Sequence, residues 1–229
     1  MGLKQKNGLL AIWADIEKSY DTEFRKWHNC QHVMERLSIQ GFIAAYRYCG
    51  LASAPAYFMF YETYDSKVLG SEEYLKSVNN PTQWTKESLK HFRNTVRNIY
   101  SEIYIVGKKP RVLSPYLYLS RFSLPKNGAE KVLETYKKKY MDKIIEFPDV
   151  FGARLFESDL EISGIGSGEM KLHRAIPAKQ PFLAIYEMAS LEVVSSKKFS
   201  QIGSDCQILK NLENLTNEKY WIDYTVNMI

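Results

Sequence analysis

The side chains best suited to chemistry in this 229-residue chain lie between residues 24 and 37, in the sequence FRKWHNCQHVMERL. His28 and His32 are four residues apart, close to one helical turn, and Glu35 follows three residues later. Two histidines and a carboxylate on one helical stripe are ligands of the kind that bind a transition metal. The segment HNCQH lacks the general-base glutamate of the HExxH zinc proteases, however, and all three ligands would lie on one exposed stripe. We therefore expect no metal site.

His32 is a stronger candidate as a general base. The ordinary imidazole pKa of about 6.5 suits proton transfer at neutral pH. On a helical wheel of about 100° per residue, however, His28, His32 and Glu35 fall outside the apolar stripe. We expect His28 to face solvent or a dimer contact, while a catalytic role and a surface position both stay open for His32. The apolar face of this helix is predicted to comprise Phe24, Trp27, Cys30, Val33, Met34 and Leu37.

Two charged residues, Arg47 and Glu62, interrupt strands that are otherwise apolar. Burying either charge without a partner costs several kcal/mol, so each needs a structural or functional reason. The two residues either pair across neighbouring strands or face a barrel interior, where they would orient a substrate anion or phenol. Glu187 repeats Glu62 later in the chain, which favours an architectural role. Tyrosines near these strands can line an aromatic pocket, although core packing explains most of them: Tyr46, Tyr48, Tyr57, Tyr61, Tyr100 and Tyr104.

The composition is that of an ordinary globular protein that is rich in aromatic residues. Hydrophobic residues make up 45%, charged residues 25% and aromatics 14%, a level that suits strands and pockets. The net charge of +5 is mild and spread along the chain, so it indicates no phosphate-binding surface. An apolar run from Leu9 to Ala14 is too short for a signal peptide or a membrane span. Three cysteines without a CxxC pair favour a reducing cytoplasm: Cys30, Cys49 and Cys206.

Nucleic-acid binding is disfavoured by the motifs as well. RNA-recognition modules present an exposed sheet with a basic and aromatic signature. The segment VFGARLFE at residues 150–157 lacks the initial basic–glycine pair of that signature. No P-loop, nucleophile elbow or paired-aspartate metal site is present in the sequence either. We expect neither a nucleic acid nor a membrane among the partners.

The elements that would position these residues follow the order strand–helix–strand–strand–helix–strand, which is the ferredoxin-like order. Gly41 and residues 50–55 separate the strands, and residues 79–81 separate two helices. The strands are predicted at 9–15, 42–49, 56–64 and 98–106, and the helices at 18–38, 66–78 and 83–96.

The same order recurs after residue 109. Residues 88–104 align with residues 208–224 at a constant shift of 120, which pairs Asn94 with Asn214. The sequence therefore predicts an α+β protein of two tandem ferredoxin-like repeats, residues 1–109 (the first half) and 110–229 (the second half). The strands are apolar at both odd and even positions, so both faces of each sheet are expected to be buried. This predicts two antiparallel four-stranded sheets that face each other as a barrel able to hold a ligand. The second-half strands are predicted at 116–122, 150–157, 182–188 and 219–227, with helices at 128–147, 191–200 and 204–214.

The second half also contains an insertion at residues 157–180, between its middle strands. Its GIGSG segment follows a strand without opening a helix and lacks GxGxxG spacing, so it is no dinucleotide-binding loop. The insertion is predicted to be either a flap or hairpin over a pocket or a surface excursion.

One set of residues on the first helix and the middle strands of the first half carries a family resemblance: Trp27, His32, Gly41, Phe42, Arg47, Tyr48, Tyr61 and Glu62. With these residues the first half resembles the dimeric α+β barrel superfamily, nearest to its EthD-like branch. The resemblance covers roughly residues 9–106. When Arg154 is set against Arg47, Lys139 stands at the position of His32, so the second half lacks the helix histidine. Glu134 then stands at the position of Trp27.

Members of this superfamily include cofactor-free monooxygenases, isomerases, dehalogenases, and dye and haem enzymes, so the resemblance implies a small-molecule pocket. The expected function is proton abstraction, isomerisation or oxygenation of an aromatic or polyketide-like substrate, without a cofactor. The expected catalytic roles are those of base for His32, anion-orienting group for Arg47 and supporting acid for Glu62. Substrate-binding residues are expected to be Trp27, Tyr46, Tyr48, Tyr61 and Tyr104.

Two alternatives stay open beside this interpretation. The first is a non-catalytic small-molecule-binding or interaction protein with the same fold. The second, weaker alternative is a haem enzyme, for which His173 lies in a predicted loop and not on a clear helix. The expected partner is a small-molecule ligand, with a homodimer as an open alternative, in the cytoplasm.

Overall fold

Eight antiparallel strands close into a barrel in the computed structural model, which describes residues 7–52, 54–107 and 114–227. The order around the barrel is β1-β3-β2-β8-β5-β7-β6-β4. Helices pack on the outside of the barrel, so the predicted α+β class is confirmed. The strands are β1 Gly8–Ile16, β2 Phe42–Leu51, β3 Tyr57–Thr63, β4 Phe92–Gly107, β5 Tyr116–Ser123, β6 Val150–Ser158, β7 Phe182–Met188 and β8 Glu213–Asn227.

The two halves contribute four adjacent strands each, in the same internal order. The first half runs β4-β1-β3-β2 and the second half runs β8-β5-β7-β6. Two seams join the halves, β2 against β8 and β4 against β6. Both seams are antiparallel ladders, so the barrel has no unpaired sheet edge.

The barrel interior is filled by side chains from all eight strands. Trp13 stacks on Phe58 at a ring-centroid distance of 4.9 Å, and Phe58 stacks on Phe60 at 5.1 Å. An eight-stranded barrel is just wide enough for its own side chains. The interior is therefore an aromatic core, where the sequence predicted space for a ligand. The buried members of this core are Leu9, Ala11, Trp13, Tyr48, Phe58, Phe60, Tyr100, Leu117, Leu119, Phe156, Leu183, Ile185 and Tyr220.

Short helices cover the outer face of the barrel, and each half has one long helix that is broken by a π turn. In the first half the π turn is His28–His32, and in the second half it is Tyr136–Met141. None of the described helices is long and apolar enough to cross a membrane. The α-helices are α1 Asp21–Trp27, α2 Val33–Leu37, α3 Glu72–Asn79, α4 Gln83–Leu89, α5 Ala129–Thr135, α6 Asp142–Ile144, α7 Leu160–Ser163, α8 Gly168–His173 and α9 Lys197–Asp205.

Two helices predicted before β4 and β8 are wrong over much of their length. The helix predicted at 83–96 ends at Leu89. Of the helix predicted at 204–214, the structure has only the end of α9 at Asp205 and a 3-10 turn at Leu209–Asn211 before β8 begins at Glu213. Asn94 and Asn214 both have left-handed backbone, with φ of 52° and 51°. Each lies near a shift in strand register, so the first residues of β4 and β8 do not alternate regularly between apolar and polar side chains.

The insertion of the second half packs on the first half. The backbone of Ile176 bridges to Val96 of β4, and the Gly168 amide donates to Asn79 Oδ1 at 2.8 Å. Ser66 Oγ donates to Asp159 Oδ2 at 2.8 Å. Of the two interpretations made from the sequence, the structure agrees with a cover over a cleft, formed by α8.

Candidate functional site

A cleft lies between the first-half helix (residues 21–37), the outer face of the sheet and α8. It contains two cavities of about 20 Å³ each, and each cavity has room for about one water molecule. The walls combine aromatic rings with buried titratable groups. The residues that line both cavities are Ile12, His32, Tyr61, Glu169 and His173.

The π turn directs both helix histidines into this cleft. His28 is 1% exposed and His32 is 6% exposed, so the predicted surface position of His28 is wrong. A π turn adds a residue to one helical turn and rotates the side chains after it, which the uniform helical wheel did not include. For the same reason Met34, expected to pack on the sheet, is 50% exposed, and Cys30 is exposed.

His28 is held by hydrogen bonds on both ring nitrogens. Its Nδ1 lies 3.0 Å from Arg47 Nη1, and its Nε2 lies 3.2 Å from the Tyr61 hydroxyl. Burial lowers the pKa of His28 well below its ordinary value, and the positive charge of Arg47 lowers it further. His28 is therefore a neutral imidazole at physiological pH.

His32 is buried and chemically less constrained. Its ring lies on the indole of Trp27, with centroids 4.4 Å apart. His32 Nδ1 has no hydrogen-bond partner among the described residues, and the nearest carboxylate oxygen, on Glu35, is 3.8 Å away. Burial lowers the pKa of His32 well below its ordinary value, followed by the charge of Arg36. The ring thus presents a neutral imidazole with an unused nitrogen beside the cavities.

The insertion adds two polar residues that the sequence did not assign to this cleft, Glu169 and His173. Glu169 forms a buried ion pair with Arg36, which also donates to Ser77 Oγ at 2.6 Å. His173 Nδ1 has no partner among the residues that the structure describes. Burial, with the charge of Arg97, lowers the pKa of His173 to about 4. Within the described ranges, no three His, Cys, Asp or Glu side chains form a metal-binding group.

Arg47 lies on the helix-facing side of β2, next to the cleft. Its Nε donates to Asp223 Oδ2 at 2.6 Å, and its Nη1 donates to Asn29 Oδ1 at 2.9 Å. The suggested pairing of Arg47 with Glu62 is wrong. Arg47 is opposite Met59 in the β2–β3 ladder, and Glu62 lies three positions further along β3, so their side chains lie on opposite faces.

Glu62 lies inside the barrel, where it pairs with Arg154 from the opposite side. Arg154 Nη1 donates to Glu62 Oε1 at 2.5 Å, and Arg154 Nη2 lies 3.1 Å from Glu187 Oε1. Tyr46 and Tyr48 lie near this cluster, and burial raises the pKa of both phenols. These residues form a cross-barrel ion cluster, on the other face of the sheet from His32.

Three of the eight predicted site residues meet at the cleft: His32, Trp27 and Tyr61. Arg47 reaches it through His28. Tyr104 lies elsewhere, with its hydroxyl donating to Asp142 Oδ1 at 2.5 Å next to the second-half helix. The missed residues Arg36, Glu169 and His173 are far apart in sequence, and only the folded insertion brings them together. The remaining three, Glu62, Tyr46 and Tyr48, face the barrel interior.

The corresponding cleft of the second half contains tyrosines. The two π turns begin 108 residues apart, at His28 and Tyr136, so Tyr140 occupies the place of His32. The positions suggested by a shift of 107, Lys139 for His32 and Glu134 for Trp27, are both exposed. The Tyr136 and Tyr186 hydroxyls lie 2.8 Å apart, and Tyr140 packs against Tyr186.

The fold is that of several known structures. An anthrone oxidase-like protein superposes with a TM-score of 0.66 at 6% identity, covering 98% of this chain and 94% of that chain. A monooxygenase-like protein from Fusobacterium nucleatum gives 0.65 at 9% identity, covering 98% and 96%. A variant of chlorite dismutase from Candidatus Nitrospira defluvii gives 0.59 at 7% identity, covering 97% and 93%.

At these identities the likeness is one of fold. No protein-family profile and no curated protein matches the sequence. This chain shares the fold of these neighbours over almost its whole length.

Proposed function

We propose that the chain is a small-molecule enzyme of the dimeric α+β barrel type, which abstracts a proton from an aromatic or polyketide-like substrate without a bound cofactor. The observation that carries this proposal is His32, a buried neutral imidazole whose Nδ1 has no partner among the described residues. Its position beside two cavities gives the free nitrogen a place to meet a substrate.

The architecture behind the proposal is a pair of tandem EthD-like, ferredoxin-like repeats, residues 1–109 and 110–229. The identical strand order of the two halves supports this duplication. So do the π turns in both long helices and the left-handed Asn94 and Asn214, which lie 120 residues apart. Local irregularities at matching positions are hard to explain by chance in unrelated segments.

The low pKa of His32 restricts the substrates on which it can act. A weak base removes a proton effectively only from an acidic C–H or O–H group. A C–H group placed between aromatic rings and conjugated with a carbonyl meets this requirement, because the negative charge spreads onto oxygen. Trp27 fixes the orientation of the imidazole ring and offers an aromatic face beside it.

Substrate entry requires α8 to move outward. The cavities hold about one water molecule each, far less than an aromatic compound needs. Glu169 and His173 form the outer wall, and α8 is attached through the Arg36–Glu169 ion pair and the Gly168–Asn79 hydrogen bond. Displacing this short helix would join the two cavities and open them to solvent.

Anthrone is the most informative first substrate, since an anthrone oxidase-like protein is among the structural neighbours. One anthrone and one O₂ give one anthraquinone and one water. The reactive carbon loses two hydrogens to that water and gains one oxygen atom. His32 would remove the first proton, and O₂ is the oxidant of the resulting anion.

The test is O₂ consumption with anthrone, together with formation of anthraquinone, by the purified full-length chain. The proposal requires a rate well above the uncatalysed oxidation and dependence on His32. No acceleration, or equal rates for the wild type and His32→Gln, would contradict it. Binding of anthrone without turnover would favour the non-catalytic binding protein.

The environment of His173 does not fit a haem ligand. The Arg36–Glu169 ion pair and Arg97 share its cavity, whereas a porphyrin needs an apolar slot. Haem therefore has no place in the proposed reaction, and a Soret band in the purified protein would contradict the proposal. The roles of Arg47 as an anion-orienting group and of Glu62 as a supporting acid stay predictions.

A further inference from the structure

We propose that Tyr61 donates a hydrogen bond to the substrate oxygen, and that Asp223, Arg47 and His28 set the direction of this bond. The site would then take compounds whose carbonyl or phenol oxygen becomes an enolate or phenolate as the proton leaves. This inference rests on the proposed function, because it assigns the partner of the base in the same cleft.

The direction of the hydrogen bonds begins at Arg47. A guanidinium can only donate hydrogen bonds, so His28 Nδ1, 3.0 Å from Arg47 Nη1, must accept. The neutral His28 therefore carries its proton on Nε2, and this tautomer follows from the network. His28 Nε2 lies 3.2 Å from the Tyr61 hydroxyl, to which it donates.

The hydroxyl proton of Tyr61 is left to point elsewhere. Among the residues described, His28 is the one hydrogen-bond partner of this hydroxyl, and it occupies the acceptor side of the oxygen. Tyr61 lines both cavities, and burial raises the pKa of its phenol above the ordinary value. Tyr61 therefore keeps its proton and can donate it into the cavity.

Arg47 is held in place from the second half of the chain. Asp223 on β8 accepts from Arg47 Nε at 2.6 Å and from Arg25 Nη1 at 2.6 Å. Asn29 accepts from the Arg47 Nη1 that also faces His28. Arg47 is thus a positioning residue, and its charge also keeps His28 neutral.

His32, the proposed base, and Tyr61, the proposed donor, line the same two cavities. The rings of His32 and Tyr61 are nearly perpendicular, at 78°, with centroids 6.4 Å apart. When His32 takes a proton from carbon, the C–H electron pair forms a carbon–carbon double bond and the carbonyl pair moves onto oxygen. Tyr61 would stabilise that oxyanion without losing its own proton.

The described part of the second half has the same fold but no matching chain of directed hydrogen bonds. Tyr186, the counterpart of Tyr61, has its hydroxyl 2.8 Å from the Tyr136 hydroxyl, and either atom can be the donor. Among the described residues, no Arg or Lys side chain donates to either hydroxyl and so fixes the direction of that bond. Tyr186 is therefore a matched control for Tyr61, of the same residue type and similar burial.

The tautomer of His28 provides a test that needs no ligand. The chain has four histidines, so nitrogen NMR of ¹⁵N-histidine-labelled full-length protein can be assigned with single His→Gln variants. We expect His28 to be protonated on Nε2 alone at neutral pH. Arg47→Leu should abolish this preference, whereas Arg25→Leu should preserve it. Protonation of His28 on Nδ1, or on both nitrogens, would overturn the proposal.

The oxyanion contact is tested with 4-nitrophenol, whose ionised form has a visible absorption band. A hydrogen bond to a charged group corresponds to roughly 10- to 100-fold in affinity, so the wild type should prefer the phenolate by about that factor. Tyr61→Phe should lose this preference, and Tyr186→Phe should keep it. No binding, or an unchanged preference in Tyr61→Phe, would overturn the assignment.

These experiments separate the inference from the proposed reaction. Failure of anthrone oxidation with the expected tautomer and phenolate preference would reject the reaction and keep the donor. Normal, His32-dependent oxidation with an unchanged Tyr61→Phe variant would keep the reaction and reject the donor.

Discussion

Each half of this barrel has a cleft between its long helix and the sheet. The two clefts have the same backbone arrangement and differ in the chemistry of their side chains. In the first half, His28, His32 and Tyr61 meet beside two cavities and beneath α8, the helix that the insertion contributes. In the second half, Tyr136 and Tyr186 pair through their hydroxyls, and Tyr140 packs against Tyr186. Both sets lie beneath a helix with a π turn. Tyr136 and Tyr186 thus satisfy each other, whereas the Nδ1 atoms of His32 and His173 have no hydrogen-bond partner among the described residues.

The difference shows that the fold alone does not determine function here. A π turn places two inward side chains one turn apart in both halves, and only the residue types decide what they can do. The insertion adds a second asymmetry, since it leaves β6 of the second half and covers the cleft of the first. The two halves therefore share a fold and differ in the side chains that line their clefts.

The largest expected effect comes from substituting His32 and its second-half counterpart, Tyr140, in parallel. His32→Gln should lower anthrone oxidation by roughly 10²- to 10⁴-fold, the usual contribution of a general base. Tyr140→Phe removes a hydroxyl at the matching position of the second half and should leave the rate within about twofold. The measurement is O₂ uptake at saturating anthrone, and similar losses in both variants would contradict a site confined to the first half.

The next largest effect concerns the cluster that joins the halves. Arg154→Met should lower the free energy of unfolding by about 3–5 kcal/mol, because it removes the buried cation that pairs with both Glu62 and Glu187. Urea denaturation measures this change.

Glu187→Gln is the matched control for Arg154→Met. It keeps the Arg154–Glu62 pair, so its cost should be clearly smaller. Equal costs for the two variants would show that Arg154 does not compensate both carboxylates.

The histidine cleft should also make stability depend on pH. His28, His32 and His173 have pKa values lowered by burial, while an unfolded histidine has a pKa of about 6.5. The unfolded chain therefore binds more protons below that pH, and stability falls as the pH falls. Each such histidine contributes up to about 1.4 kcal/mol per pH unit, for His173 down to its folded pKa of about 4.

This pH effect should originate in one half of the molecule. Denaturation between about pH 6.5 and 4.5 should show a shallower loss for His173→Gln than for the wild type. Hydrogen exchange, corrected for its intrinsic pH dependence, should rise more in residues 21–37 than in residues 129–144. Equal responses of the two helices would argue against the histidine cleft as the origin.

The smallest expected effect comes from the tyrosine pair. Tyr186→Phe removes one buried hydrogen bond and should cost about 1 kcal/mol of stability. Anthrone oxidation should be unchanged. A large loss of activity in this variant would mean that the second cleft takes part in the reaction.

Much of the fold was accessible from sequence because it depends on local patterns. All eight strands were predicted, since runs such as YFMFYE are apolar on both faces of the strand and bounded by turns. The helix ends before β4 and β8 were missed, because Asn94 and Asn214 start these strands with irregular backbone. A left-handed asparagine is compatible with many local structures, so its effect on strand length could not be predicted.

The site was less predictable because two non-local features build it. The π turn rotates His28 and His32 inward, and a uniform wheel places them outside. Tyr136 and Tyr140 were an available signal, since they occupy the corresponding positions of the second-half helix and are buried. The packing of Glu169 and His173 over the cleft depends on where the insertion docks, and nothing local encodes this.

The most direct test of the central claim is a crystal structure of the full-length protein with bound anthraquinone, the product of the proposed reaction. We expect the ligand between His32 and Tyr61, with its carbonyl oxygen near the Tyr61 hydroxyl and α8 displaced outward. Anthraquinone inside the barrel or against the second-half helix, with α8 still closed over an empty first-half cleft, would contradict it.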